Sequence, residues 1–132
     1  MSEGFNIEII NPEKSFFSKQ NVLEVVVPAF EGEIGILKDH ISLISFLKPG
    51  IIKIFNGSDE ENFYVDDGII EFKNNSLSIL TSHVFNLKNL DKNKIADSIV
   101  EAEKELAKDE IDDQKKFLLN HKVEVLKSLS LN

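Results

Sequence analysis

The chain has 132 residues, 42% of them hydrophobic, and a formal net charge of -8, which suits one packed core with an appendage. That charge repels polyanions from most of the surface, so nucleic acid and anionic lipid headgroups are excluded as natural partners. All 15 basic residues are lysine and none of the residues is cysteine, which removes the bidentate guanidinium fork, disulfides and thiolate chemistry together.

The amino terminus, Met1-Ser2-Glu3-Gly4, lacks the basic start and apolar stretch of a secretory signal. No apolar run approaches the roughly 18 residues of a membrane span. A soluble protein of a reducing compartment is expected, without direct membrane insertion.

Through about residue 86 the chain reads as short β-rich segments: Phe5 to Ile10, Val22 to Val27, Ile51 to Phe55, Phe63 to Val65, Ile69 to Phe72 and Leu77 to Leu80. Asn11-Pro12, Asn56-Gly57-Ser58, Asp66-Asp67-Gly68 and Asn74-Asn75-Ser76 supply the turn signals between them. Segments so short and closely spaced predict hairpins closing into a β-sandwich or flattened barrel. Within this half, the run from Pro28 to Gly50 reads as a strand interrupted by backbone devices. Gly32 and Gly35 are expected at φ > 0, and Pro49-Gly50 at the centre of a type II turn.

From Leu87 glycine and proline disappear and the apolar spacing becomes helical. Ile95, Ile99, Ala102 and Leu106 follow one helical stripe, with Ala96, Val100 and Ala107 beside it. Asn89 or Asp91 is the expected N-cap, and Lys104 and Lys108 favour the carboxyl end. A second helix is expected to begin near Asp109 to Asp112, with Ile111, Leu118, Leu119, Val123, Leu126 and Leu129 on one side. The fold class is therefore α+β: a β-sandwich of about ten short strands over residues 1–87, then an antiparallel αα-hairpin over residues 88–132. So small a hairpin is marginal alone and able to dock, undock or extend.

Catalytic chemistry finds little support. Asp66-Asp67 is a turn signal, and adjacent strand residues face opposite ways. Glu31 and Glu33, at i and i+2, share a face of a regular strand and form a small anionic patch. His40 beside Asp39 has no Ser or Cys nucleophile setting. His83 reads as a packed or surface residue at a strand end. With His121, the three histidines are too dispersed to form a local metal motif.

The run Ala29-Phe30-Glu31-Gly32-Glu33-Ile34-Gly35-Ile36-Leu37-Lys38-Asp39-His40, followed by Leu43 and Leu47-Lys48-Pro49-Gly50, resembles the signature of the F-type ATP synthase epsilon subunit, the homologue of the mitochondrial delta type. Phe5 to Pro12, Tyr64 to Phe72 and Ser76 to Thr81 extend the resemblance over nearly the whole chain. It implies a non-catalytic rotor component of the central stalk, peripheral on the cytoplasmic face of the energy-coupling membrane. Its implied partners are the gamma subunit and the membrane c-ring, with alpha and beta subunits reached through an extended hairpin. The resemblance places Glu31, Glu33 and His40 at the partner contact, with the loop around Glu33 and His40 meeting the ring at one exposed end of the sandwich.

Some members of that family bind ATP at the first helix through I/L-D-x-x-R-A. Here the matching stretch is Leu90-Asp91-Lys92-Asn93-Lys94-Ile95, so Asp91 and Lys94 are the ATP candidates. Lysine in place of arginine and isoleucine in place of alanine disfavour ATP as a regulatory ligand, and no cofactor is expected. Residues 89–132 hold eight Lys against ten Asp and Glu, a net of about -2, which predicts weak inhibition of ATP hydrolysis by the hairpin. The alternative, from residues alone, is a stand-alone β-sandwich binding module with a helical oligomerisation tail.

Overall fold

The computed structural model describes residues 4–108 and 110–130. The chain divides into two compact units, Met1–Lys88 and Asn89–Asn132.

The first unit holds ten strands: β1 (Phe5–Ile10), β2 (Ser15–Val22), β3 (Glu24–Ala29), β4 (Gly32–Leu37), β5 (Leu43–Leu47), β6 (Gly50–Asn56), β7 (Asp59–Val65), β8 (Gly68–Lys73), β9 (Ser76–Thr81) and β10 (Val84–Asn86). The hydrogen-bonded path runs β10-β7-β6-β3-β5-β8-β9-β1-β2, with β4 on β3. Pairing is antiparallel throughout except for β1 with β9. β3 meets β5 only where Ala29 faces Leu47, and at this corner the path folds over into two layers. One layer is β4-β3-β6-β7-β10 and the other β5-β8-β9-β1-β2.

Alternation supplies the core between the layers. Phe5, Ile7 and Ile9 point inward from β1, Val25 and Val27 from β3, Ile52 and Ile54 from β6, and Ile70 and Phe72 from β8. Phe5 meets the edge of Phe72 at 5.5 Å between ring centres. Phe17 and Phe63 approach to 4.7 Å, which joins β2 to β7 across the core.

Three expectations change here. The segment Val22 to Val27 is divided, because Asn21 sits at φ 58° and Val22 closes β2 before β3 starts at Glu24. The run from Pro28 to Gly50 contains the end of β3, all of β4 and β5, and the start of β6 rather than one interrupted strand. Gly32 does lie at φ 142°, beyond the reach of ordinary side chains, but Gly35 and Gly50 have no positive φ. Pro49-Gly50 is therefore not the centre of a type II turn. Glycine is needed at 50 for space: a Cβ there would stand 2.8 Å from Pro28 Cβ.

The second unit is a helical hairpin of α1 (Lys92–Leu106) and α2 (Asp113–Ser130), preceded by a single 3-10 turn at Leu87–Asn89. Asp91, not Asn89, caps α1: its Oδ1 accepts from the Asn93 and Lys94 amides at 3.0 and 3.4 Å. Asp112 does the same for α2, accepting the Lys115 amide at 2.7 Å. Residue 109, part of the expected start of α2, lies outside the described residues. Ile95 and Ala102 are buried on α1, and Val123, Leu126 and Leu129 on α2, the positions the helical spacing selects, while Val100 is exposed. Glu105 meets Lys115 at 3.2 Å and Glu103 meets Lys127 at 3.7 Å across the helix pair.

Candidate functional site

The residues singled out from the sequence do not share one location. Glu31 lies in the tight turn after β3, and Glu33 faces solvent just inside β4. Since Gly32 pairs with Ala29 and Leu37 with Glu24, β4 runs away from that turn and delivers His40 to the opposite end of the sandwich. The expectation that Glu33 and His40 occupy one exposed end is thus corrected by the antiparallel register.

Between the two ends lies a surface that sequence reading did not single out. On the outer face of the second layer, Phe46 pairs with Ile69, Ile69 with Leu80, and Leu80 with Ile10. One apolar row therefore crosses four strands. Ile44 lies beside it on β5, and Ile44 and Phe46 are 72% and 66% exposed. Phe30, in the turn with Glu31, donates its amide to the Phe46 carbonyl at 2.9 Å. Below the row the outward positions are polar, with Glu71 opposite Ile44 and Glu8 beside Ser78. A solvated sheet face normally carries polar residues at all such positions, and contiguous exposed apolar groups mark an interaction surface. The signal was present in Ile44, Phe46, Ile69 and Leu80, but their direction depends on a register that one sequence does not print.

At the other end, the loop from Lys38 to Ser42 is fixed by local bonds. The His40 amide donates to the Leu37 carbonyl at 3.1 Å, and His40 Nδ1 donates to the Ile41 carbonyl at 2.7 Å. The imidazole stands edge-on to Phe72 with ring centres 5.9 Å apart. Asp39, at φ 65°, donates its amide to Asn75 Oδ1 at 2.7 Å and accepts from Asn75 Nδ2 at 2.9 Å.

Asp66 departs most from its expected role as a plain turn residue. It is 4% exposed, with Oδ1 accepting from the Tyr64 hydroxyl at 2.8 Å and Oδ2 from Ser82 Oγ at 3.3 Å and His83 Nδ1 at 3.0 Å. Thr81 Oγ1 donates to the Asp66 carbonyl at 3.1 Å, and the Asp66 amide donates to the His83 carbonyl. Tyr64 lies near the end of β7 and Asp66 directly follows that strand, and the bond between them holds the phenol against the carboxylate. Burial first, then the Asp66 charge and its hydrogen bond, then Asp67, push the Tyr64 phenol well above the ordinary tyrosine pKa. The cluster ties the β7–β8 turn to the start of β10. Ser82 donates to the carboxylate and not to the imidazole, so no nucleophile–base pair exists in this cluster.

On α1, the Asp91 carboxylate is engaged as the N-cap, and Lys94 is exposed in the first turn. Among the described residues, no group of three or more His, Cys, Asp or Glu is placed to hold a metal ion, and no helix is long and apolar enough to cross a membrane.

Comparison with known proteins agrees with this architecture. The family described as ATP synthase, Delta/Epsilon chain, beta-sandwich domain matches residues 4–86. The ATP synthase epsilon chain of Pelagibacter ubique is 64% identical over 130 residues, covering 98% of this chain and 100% of that one. The ATP synthase epsilon chain of Parvibaculum lavamentivorans is 34% identical over 130 residues, covering 98% and 97%. Among solved structures, a chain of the Euglena gracilis mitochondrial ATP synthase OSCP/F1/c-ring assembly superposes with a TM-score of 0.73 at 18% identity, covering 99% of this chain and 82% of that one. A chain of the Tetrahymena thermophila mitochondrial ATP synthase central stalk and c-ring gives 0.67 at 14% identity, covering 98% of each. The two structural likenesses carry the fold; the matched family and the sequence relatives carry descent, and by them the chain belongs to the ATP synthase delta/epsilon family.

Proposed function

We propose that this chain is a non-catalytic central-stalk subunit of an F-type proton-translocating ATP synthase, coupling the gamma subunit to the c-ring. The single observation that carries the proposal beyond family membership is the apolar row Phe46–Ile69–Leu80–Ile10 with Ile44 beside it, open to solvent on a sheet face. Its occupant is a protein face and not a lipid surface, because Glu8 and Glu71 border it and the whole chain carries a net charge of -8.

The corrected geometry divides the contacts. The β5 face and the His40 loop present apolar groups and suit gamma, whereas the polar turn with Glu31, and Glu33 beside it, suits the loops of the ring. The subunit is accordingly peripheral, on the cytoplasmic face of the energy-coupling membrane. The hairpin regulates ATP hydrolysis weakly through alpha and beta subunits when extended, its net charge of about -2 over residues 89–132 giving little attraction to acidic partners. It does so without ATP as a ligand, since Lys94 and Ile95 stand where the ATP-binding pattern has arginine and alanine.

The test is co-purification with the gamma homologue from the same cells at low salt, with intact chain and with Phe46→Glu. Intact chain retains gamma and the variant loses it; an intact chain that emerges alone overturns the assignment in favour of a self-contained binding module. For the hairpin, enzyme lacking residues 89–132 hydrolyses ATP at nearly the intact rate, and a several-fold acceleration contradicts weak inhibition.

A further inference from the structure

We propose that Asp39 and Asn75 form a clasp whose role is to position the β4–β5 loop for contact with gamma, an inference that rests on the central-stalk reading. Both residues sit at positive φ, 65° and 55°, a conformation that Asp and Asn tolerate better than most residues. They meet from distant parts of the chain in two reciprocal hydrogen bonds, one from the Asp39 main-chain N–H to Asn75 Oδ1 at 2.7 Å and one from Asn75 Nδ2–H to Asp39 Oδ1 at 2.9 Å. The pair joins the loop after β4 to the β8–β9 turn, and the Asn6 amide anchors that turn in place through the Asn75 carbonyl at 3.1 Å.

The clasp adds nothing to the core, since Asp39 is exposed, Asn75 is only half-buried and neither belongs to the core cluster. What it holds is informative. Ile41, two residues after Asp39, is 78% exposed and continues the apolar line of Ile44 and Phe46 into the loop. An isoleucine held in water with its loop tied down has given up conformational freedom in advance, which is how a binding loop avoids losing it at the moment of docking. Asp39 and Asn75 are positioning residues for that contact.

The chemistry of the pair supplies a clean test. Asn75→Gly keeps the turn, because φ 55° suits glycine, and removes both side-chain bonds. Asn75→Asp sets two carboxylates against each other. Adding Asp39→Asn to Asn75→Asp reverses the side-chain bond and keeps the main-chain one: the residue 39 main-chain amide and the new side-chain amide each donate to one oxygen of the new carboxylate. That double variant also restores the net charge.

Binding of the full-length chain to purified gamma, followed by association and dissociation rates, is the readout, with thermal unfolding in parallel. Asn75→Gly and Asn75→Asp weaken binding about tenfold, chiefly through faster dissociation, and leave the unfolding midpoint of Asn75→Gly unmoved. The exchanged pair binds as wild type does. Wild-type affinity in Asn75→Gly overturns the clasp alone, as does an exchanged pair that stays weak. A wild-type chain with no affinity for gamma overturns the central-stalk reading itself, and the clasp's role with it.

Discussion

His83 Nδ1 lies 3.0 Å from Asp66 Oδ2, so a histidine whose side chain is 67% exposed anchors a carboxylate that is almost wholly buried. With Tyr64 on the other oxygen, the carboxylate is satisfied from two sides. Asp66→Ala leaves the buried Tyr64 hydroxyl without this acceptor and lowers stability by about 2 to 3 kcal/mol. Asp66→Asn keeps an acceptor for the phenol and costs less. Denaturant unfolding of the full chain, comparing midpoints at constant slope, measures both.

Tyr64 is the chain's single tyrosine, so its ionisation can be followed by phenolate absorbance without ambiguity. Its pKa is raised in the folded protein, chiefly by burial and then by Asp66. The stabilisation of the neutral phenol is fully present below the unfolded value of about 10 and is lost as pH rises above it toward the folded value. Stability falls above pH ~10 with this group contributing up to about 1.4 kcal/mol per pH unit. Tyr64→Phe removes that contribution, and phenolate absorbance appears only as the chain unfolds.

Gly50→Ala and Gly35→Ala separate space from backbone conformation. At position 50 the new methyl meets Pro28 Cβ at 2.8 Å, within a corner where the Lys48 amide also donates to the Pro28 carbonyl. The cost is about 1 to 3 kcal/mol. At position 35 the nearest atom is the Glu24 carboxylate at 3.2 Å, which can swing aside, and the change is nearly neutral. Paired thermal melts distinguish the two.

Asp91→Ala removes the cap of α1 and lowers helix stability by about 1 kcal/mol, read as a loss of helical circular dichroism at a lower temperature than wild type. Asp91→Asn retains the acceptor and most of the helicity.

Glu105 titrates below its ordinary range because Lys115 donates to it and lies close in charge, with Lys108 adding to the effect. A depressed carboxylate stabilises above its unfolded pKa, and the contribution disappears as pH falls through the lower folded value. Carbon-detected NMR titration of the intact chain places the Glu105 midpoint below that of an unpaired glutamate, and Lys115→Met raises it.

Periodicity carried much of this architecture. Ile95, Ala102, Val123 and Leu126 are buried where the helical spacing puts them, and in β9 the alternation of Leu77, Ser78 and Ile79 matches the buried and outward positions. β2 was missed because Ser18, Lys19, Gln20 and Asn21 give it the composition of a loop; its pairing with β1 makes it a strand. The burial of Asp66 was invisible because the partners that satisfy it, Ser82 and His83, arrive on another turn. Likewise, nothing local to Asp39 announces Asn75. Properties written within one element could be read from the chain, while those depending on which elements become neighbours could not.

The separation of Glu31 from His40 by the length of β4 has a mechanical meaning. Six strand residues span about 20 Å. A body gripped at two points that far apart resists twisting through a lever arm, and the force on each grip falls in inverse proportion to the distance between them. On the division of contacts proposed above, two modest, non-covalent grips at the ends of this strand would together carry a load that peels either one away when it stands alone.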